Sequence, residues 1–424
     1  MNIIDVKAKE PPTGLTFGIV SDLHMRGADD EEAVRESLAA LREQGVEAVV
    51  VCGDIVGDGV PGPDRLVPFA RAWNAAFPPG CGVERLVVLG ERDVAGGDVA
   101  EAWRTAFGEE YAPREVKEVC GFRFLLCRAP DAPAGAIPCN DRPCFVVRHF
   151  PLTEKDGRLP PNAIAITGHT CAPLTDPRTI RVCSGGATVD ASSLLHVRAA
   201  GGRENALAEG LPPEAADWRH MPDVSREAAK ARHALVARVD ASGAVFRRMD
   251  LALGCALADD VVVPLGGLRS CATATDATCA SLPPVPEFPE GAGAFVEERT
   301  GKTMAGRVER QLVVSFPAAR VPSRAFDYAV AVCYAEADLV KTAVEKRVYP
   351  YGLFRPKDED FVSCAFGFEE LPWNVELDFE IVPRTAFGGT GRPLHAHGCI
   401  ESPEARAKRL KKERKAALEK AVRT

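Results

Sequence analysis

No stretch of the 424-residue chain approaches the ~18–20 uninterrupted apolar residues that a membrane-spanning helix needs. The longest candidates are short runs such as Val49–Cys52 and Val261–Leu265, so a membrane span is ruled out. The start, Met1-Asn2-Ile3-Ile4-Asp5-Val6-Lys7, lacks a basic region followed by an apolar one, so it carries no secretory leader, which favours the cytoplasm. A leader cleaved ahead of this sequence would leave export open, and Cys139 and Cys144, which flank a proline-containing loop, could then pair. There is no excess of positive charge either: 52 basic against 60 acidic residues give a net charge of -8, which makes nucleic acid a poor partner. Neither apolar residues, at 46%, nor charged ones, at 26%, are scarce, which excludes wholesale disorder and fibrous repeats.

What is present is enough chain for two or three domains, each able to bury its own core. The 14 cysteines are scattered, and several (Cys52, Cys127, Cys333) fall inside apolar strand-like runs, where a reduced, buried thiol is the ordinary reading. Strand-length apolar runs alternate with helical patterns over the first 110 residues: Leu15–Ser21, helix Glu31–Gln44, Glu47–Cys52, helix Pro63–Phe77, Arg85–Leu89, and helix Asp98–Phe107 with Asp98 as N-cap. This βαβ order implies a mostly parallel or mixed sheet covered on both faces. From Val116 short β-like runs follow at Phe122–Cys127, Phe145–Arg148, Ala163–Thr167 and Ile180–Cys183, and Asp240-Ala241-Ser242-Gly243 marks a hairpin between Ala234–Val239 and Ala244–Met249. The expected domains are 1–255, a Pro/Ala/Thr/Gly-rich linker at 256–289, a β-sandwich at 290–400 and a basic helical tail at 401–424.

Polar groups stand at the ends of the strands, the edge where open α/β sheets bind ligands. They read Ser21-Asp22-Leu23-His24, Gly53-Asp54, Gly90-Glu91-Arg92-Asp93, Arg148-His149 and Gly168-His169-Thr170-Cys171. A carboxylate and an imidazole two residues apart can point to one side of an extended segment, which suits a divalent metal. The ordered set D-x-H, G-D, G-x-x-D, H and G-H-x-C resembles the calcineurin-like metallophosphoesterases over about Thr16 to Leu251. The resemblance implies a four-layer α/β/β/α sandwich carrying two divalent or mixed-valence ions (Mn, Fe or Zn). Asp22, His24 and Cys171 would hold one ion, Glu91, His149 and His169 the other, and Asp54 would bridge them. It also implies hydrolysis of phosphomonoesters or phosphodiesters by a hydroxide bridging the metals, with substrate choice set by loops such as Asp58–Asp64 and Cys139–Pro143.

Three positions depart from the family pattern. Its third motif reads Gly-Asn-His-Asp or Gly-Asn-His-Glu, so the asparagine ligand is replaced by Glu91 and the acid-competent histidine by Arg92; its last motif ends in histidine where this chain has Cys171. A carboxylate and a thiolate both ligate metals, but the ligands then carry four negative charges (Asp22, Asp54, Glu91, Cys171), which neutralises two divalent ions and weakens their Lewis acidity. Arg92 restores a positive charge and can orient phosphate, yet it gives no proton at neutral pH. Two alternatives stand beside this set: Glu91 and Arg92 as a structural ion network replacing one metal, and Cys171 as a small buried thiol. His196, His220 and His233 lie outside the motifs and read as structural or solvent-facing. His395-Ala396-His397 has the look of a metal pair, but it follows the last expected sandwich strand and reads as strand-edge or loop histidines.

Toward the end, Gln311–Phe316, Phe326–Cys333, Phe361–Phe366 and Val375–Val382 read as strands of an all-β immunoglobulin-like sandwich. The segment from Glu370 to Pro383, followed by Phe387-Gly388-Gly389, resembles the penultimate strand and turn of a fibronectin type III-like domain, with Leu377, Phe379 and Ile381 as one buried face and Leu377 at the usual tyrosine position. The resemblance implies packing against the catalytic unit or binding of a protein partner. The leading expectation is a metal-dependent phosphoesterase; the runner-up is a pseudoenzyme that keeps the fold as a binding or scaffolding module.

Overall fold

The computed structural model describes residues 14–130, 143–152, 159, 162–183, 186–197, 230–264, 284–302, 308–337, 339–354 and 360–422. The described residues divide into two compact units, the first built from residues between 14 and 264 together with 352–354, the second from residues between 284 and 351 and from 360–422.

Two sheets build the first unit. In one, β1 (Leu15–Val20), β2 (Ala48–Cys52) and β3 (Glu84–Val88) run parallel, and β10 (His233–Val239), β11 (Gly243–Asp250), β12 (Cys255–Ala256) and β13 (Val261–Pro264) extend the sheet antiparallel beyond β1. The other has the order β4 (Arg114–Val119), β5 (Phe122–Cys127), β6 (Cys144–Val147), β7 (Ala163–Thr167), β9 (Gly186–Asp190), β8 (Ile180–Cys183), with β5, β6, β7 and β9 parallel. Phe17, Ile19 and Val50 of the first sheet share a core with Phe124, Phe145 and Ile164 of the second, so the sheets face one another.

Helices α1 (Ala28–Glu43), α2 (Val67–Ala76) and α4 (Val99–Phe107) cover the other face of the first sheet through Leu38, Leu41, Phe69, Trp73 and Trp103. In α1, Val34, Leu38 and Leu41 recur at helical spacing, and full burial of such side chains contributes roughly 1.5–3 kcal/mol each. Asp29, Asp30 and Glu31 in its first turn oppose the helix dipole and start it three residues ahead of the expected Glu31. Asp98 caps α4 as its spacing predicts, accepting from Ala100 N at 2.8 Å and Glu101 N at 3.1 Å. A short helix, α3 (Glu91–Ala95), follows β3. On the far side of the second sheet lies a small cluster of Leu125, Cys127, Cys144, Val146 and Leu159 with no helix on it among the described residues, so the expected α/β/β/α order is seen there as α/β/β. Cys139 lies outside the described residues, and Cys144 is a buried free thiol.

The linker expected from residue 256 is corrected at its start. Val261 to Val263 are consecutive β-branched residues that pair with β11 as β13, and Val263 is fully buried. The Pro/Gly-rich composition that begins beyond Pro264 hides this short run.

The second unit contains a three-stranded sheet, β14 (Phe295–Lys302), β15 (Val308–Pro317) and β18 (Phe361–Gly367), and a four-stranded one in the order β17 (Leu339–Val348), β16 (Asp327–Glu336), β19 (Glu376–Arg384), β20 (Leu394–Cys399). Leu312, Val314 and Phe366 share a core with Val330, Leu377, Phe379 and Ile381, so the alternation read from the sequence is an inward face. Helix α5 (Pro403–Val422) follows. No described helix is long and apolar enough to cross a membrane.

Candidate metal centre

Each motif residue lies just beyond a parallel strand: Asp22 and His24 after β1, Asp54 after β2, Glu91 and Arg92 after β3, His149 after β6, His169 and Cys171 after β7. Since strands from both sheets end at this edge, residues far apart in sequence converge. Backbone hydrogen bonds stitch the exits together, Asp22 N to Gly53 O and His24 N to Asp54 O at 2.9 Å each, and Gly168 N to His149 O at 2.8 Å. Ten described non-glycine residues have positive φ, and five are Asp22, His24, Asp54, His169 and Cys171, with φ between 47° and 73°. Left-handed backbone costs an L-residue on the order of 1 kcal/mol, less for Asp, and such conformers concentrate at functional sites.

The ligand-type atoms fall into three overlapping groups, Asp22–His24–Cys171, Glu91–His149–His169 and Asp22–Asp54–His149, each with its atoms within 4.8 Å of one another. Asp22, Asp54 and His149 form a floor that is 0% exposed, whereas Glu91 and His169 are half-buried at the rim. His24 Nε2 lies 3.7 Å from Asp22 Oδ1 and 3.9 Å from Cys171 Sγ, and His24 Nδ1 lies 4.0 Å from Asp54 Oδ2. His149 Nε2 is 2.8 Å from Glu91 Oε2 and 3.6 Å from Asp54 Oδ1, and His169 Nδ1 is 3.4 Å from Glu91 Oε1.

These residues fit a metal. His149 Nδ1 donates to the Cys52 carbonyl at 2.7 Å, the backbone anchor that a metal-ligating imidazole uses, and this turns Nε2 toward the carboxylates. His149 Nε2 and Glu91 Oε2 are close but misaligned for a hydrogen bond, and both stay unsatisfied, as do His169 Nδ1 and Asp22 Oδ1. Asp22 Oδ2, by contrast, accepts from Ser21 Oγ at 2.6 Å and His169 N at 2.8 Å, so one carboxylate oxygen is anchored and the other is left for a cation.

Electrostatics agree. Burial pushes the Asp54 carboxyl above its ordinary range, with Asp22 and Glu91 adding to the rise against His149. Burial alone would lower His149, but Glu91, Asp22 and Asp54 pull it up to about 10, so a proton stands where a cation is favoured. Burial also opposes ionisation of Glu91, yet the imidazoles of His149 and His169 hold it well below the carboxylate range. Arg92 donates through its main chain to Asp54 Oδ1 at 3.1 Å; its guanidinium pairs with Asp54 Oδ2 and with Asp58 Oδ1 at 2.6 Å, and lies 3.7 Å from Glu91 Oε1. Despite partial burial, the two aspartates raise its pKa further.

Two neighbours escape the motif reading. Ser193, beyond β9, donates its hydroxyl to Asp22 O at 2.6 Å, and the His196 ring packs edge-on to His24 with centroids 5.3 Å apart. His196, read from the sequence as structural or solvent-facing, lies beside the site; in the sequence, the glycine pair Gly185-Gly186 between two apolar runs is the signal for β9. His233 is structural, its Nδ1 accepting from Leu174 N and its Nε2 donating to Phe354 O. His220 lies outside the described residues.

No protein-family model matches the chain, and no curated protein does. Solved structures similar to it include a dimetal phosphatase from Danio rerio, 12% identical, covering 60% of this chain and 100% of its own, with a TM-score of 0.38. A purple acid phosphatase from yellow lupin seeds is 11% identical over 60% of this chain and 54% of its own, with a TM-score of 0.38. A 5′-nucleotidase precursor from Thermus thermophilus is 13% identical over 63% of this chain and 58% of its own, with a TM-score of 0.32.

Proposed function

We propose that this chain is a dinuclear metal-dependent phosphoesterase of the calcineurin-like kind, acting on phosphomonoesters or phosphodiesters. The supporting observation is the donor arrangement, two triads joined through Asp22, Asp54 and His149 on a buried floor with ligand atoms left unsatisfied. Asp22, His24 and Cys171 would hold one ion and Glu91, His149 and His169 the other, with Asp54 placed to serve both. Two divalent ions of the manganese, iron or zinc group supply, when bound, polarisation of the phosphoryl group and activation of water.

The remaining work falls to the chain's own residues. The Cys52 carbonyl fixes the His149 ring, Ser21 and His169 N fix Asp22, and the half-buried rim leaves an approach for an anionic ester. With four anionic ligands offsetting two divalent ions, the positive charge that draws in phosphate comes from Arg92, whose Nε is anchored by the exposed Asp58. Arg92 orients the phosphoryl oxygens but cannot protonate a departing alcohol.

A general acid is worth about 10²–10⁴-fold, so esters whose leaving group departs as a stable anion should be favoured by a comparable factor. Aryl phosphoesters should be hydrolysed at least about 10²-fold faster than alkyl ones by the metal-loaded protein, and Glu91→Asn with Arg92→His should narrow the gap. Equal rates would remove Arg92 from its role, and no hydrolysis of either ester by fully loaded protein would overturn the enzymatic reading.

The second unit we read as fibronectin type III-like. Its seven described strands divide three and four, and the fourth of them, β17, pairs with β16 rather than with β18, unlike the immunoglobulin constant pattern. Such a sandwich offers a surface to a protein partner.

A further inference from the structure

The exits of β1 and β2 stay locked together beyond the donor residues. Met25 N donates to Ile55 O and Gly57 N to Met25 O, both at 2.9 Å, and Met25 and Val56 form a parallel bridge. Arg26 and Asp58 therefore leave the centre side by side, Arg26 two residues after His24 and Asp58 four after Asp54. Asp30 Oδ2 accepts from Arg26 N at 2.8 Å, which fixes the main chain there and leaves the guanidinium to the rim. The arginine stem lies across Gly57, where a Cβ would fall 2.5 Å from Arg26 Cγ and 2.8 Å from Nε, so the absence of a side chain at Gly57 lets it lie down. Arg26 Nη2 comes within 3.7 Å of Asp58 Oδ2, and Arg92 Nε donates to the other oxygen, Oδ1, at 2.6 Å. Two guanidiniums thus flank one carboxylate, and that of Arg92 also pairs with Asp54 on the floor. A gap of 3.7 Å is too long for a hydrogen bond, so Arg26 meets Asp58 by charge alone and its N–H fork is not spent on that carboxylate.

We propose that Arg26 is a specificity residue which, with Arg92, fits the centre to hydrolyse phosphoanhydrides, Arg26 receiving the phosphate that leaves. This inference rests on the phosphoesterase reading and goes beyond it by naming the leaving group. Arg92 gives no proton, so the group that departs must be stable as an anion. A second phosphate is such a group, its last proton having a pKa of about 6. It also carries charge that needs a partner. Arg26 and Arg92 against Asp58 leave one positive charge at this rim, and a planar guanidinium binds phosphoryl oxygens through two parallel N–H groups. In the reaction the oxygen of water bonds to one phosphorus as that phosphorus loses its bond to the bridging oxygen. The bridging oxygen keeps the electron pair and departs on the second phosphate, and the protons of water pass to solvent. An alcohol leaving group would give Arg26 nothing to hold.

The test uses the metal-loaded full chain. Its kcat/KM for adenosine diphosphate, taken relative to that for p-nitrophenyl phosphate, should fall about tenfold or more in R26Q. The Arg26 side chain is 58% exposed, so the variant should unfold at the parent temperature. Inorganic diphosphate run beside them tells whether the two phosphates must carry an organic group, hydrolysis of either diphosphate supporting the assignment. Binding is read separately by calorimetry with methylenediphosphonate, whose bridge water does not cleave, against methylphosphonate. The parent should prefer the diphosphonate by about tenfold or more, and R26Q should lose that preference. A ratio of rates unchanged in R26Q, or a preference that survives in it, would overturn the role of Arg26. Hydrolysis of p-nitrophenyl phosphate with neither diphosphate attacked would overturn this inference and leave the phosphoesterase reading standing, whereas no hydrolysis of any of the three would overturn both.

Discussion

Asp93 ties two strand exits together, its Oδ2 accepting from Gly90 N at 2.8 Å and its Oδ1 from Val56 N at 3.0 Å. Burial, and then the charge of Asp54, push its carboxyl up to about 7, and among the described residues no other acceptor is seen for either amide. Asp93→Ala would strand two buried donors at roughly 1–3 kcal/mol each, so urea unfolding should show a loss of at least about 2 kcal/mol. An unchanged midpoint would mean that the exits are held otherwise. Asp190 carries a pH signature. Burial raises its carboxyl from 3.8 to about 7, against hydrogen bonds from Thr170 and Ser192 N. A raised folded pKa means that its contribution is fully favourable below pH 3.8 and is lost as pH rises through about 7. Asp190→Asn should therefore raise the unfolding temperature at pH 8, by up to about 4 kcal/mol in stability, and change little at pH 4. A variant equally altered at both pH values would contradict the burial of an ionisable carboxyl there.

At the scale of elements, the strand exits do the positioning, and they leave no room for larger residues. A Cβ on Gly90 would fall on Asp54 Oδ1, and one on Gly168 on Ser21 Oγ with Asp22 Oδ2 at 2.9 Å. Gly90→Ala and Gly168→Ala should each cut metal loading, measured by elemental analysis, while far-ultraviolet dichroism stays near that of the parent; full loading in both would show that the exits can shift. The βαβ half was legible because buried parallel strands are unbroken apolar runs and the helices between them carry a helical period. The strand-end residues were legible because their order along the chain mirrors their convergence in space. What sequence reading missed has physical reasons. In β17, Leu339 and Val340 are both mostly exposed, so no inward face stands out. In β20 only Ala396 points fully into the core, between two histidines. The contact of His196 with His24 depends on β9 joining the second sheet, a pairing of distant segments that no local pattern encodes.

For the molecule as a whole, an acidic chain gathers five carboxylate or thiol donors (Asp22, Asp54, Glu91, Asp58, Cys171) and three imidazoles (His24, His149, His169) at one edge, answered there by Arg92. Such crowding of negative charge is sustained by cations, and Asp54 is where the two triads meet. The most direct measurement is metal content by elemental analysis of full-length protein purified without chelator. The dinuclear reading predicts two ions per chain in the parent, loss of both in Asp54→Ala, and a weakening of one alone in Cys171→Ala. Full loading of Asp54→Ala, or a parent that binds no metal, would contradict it.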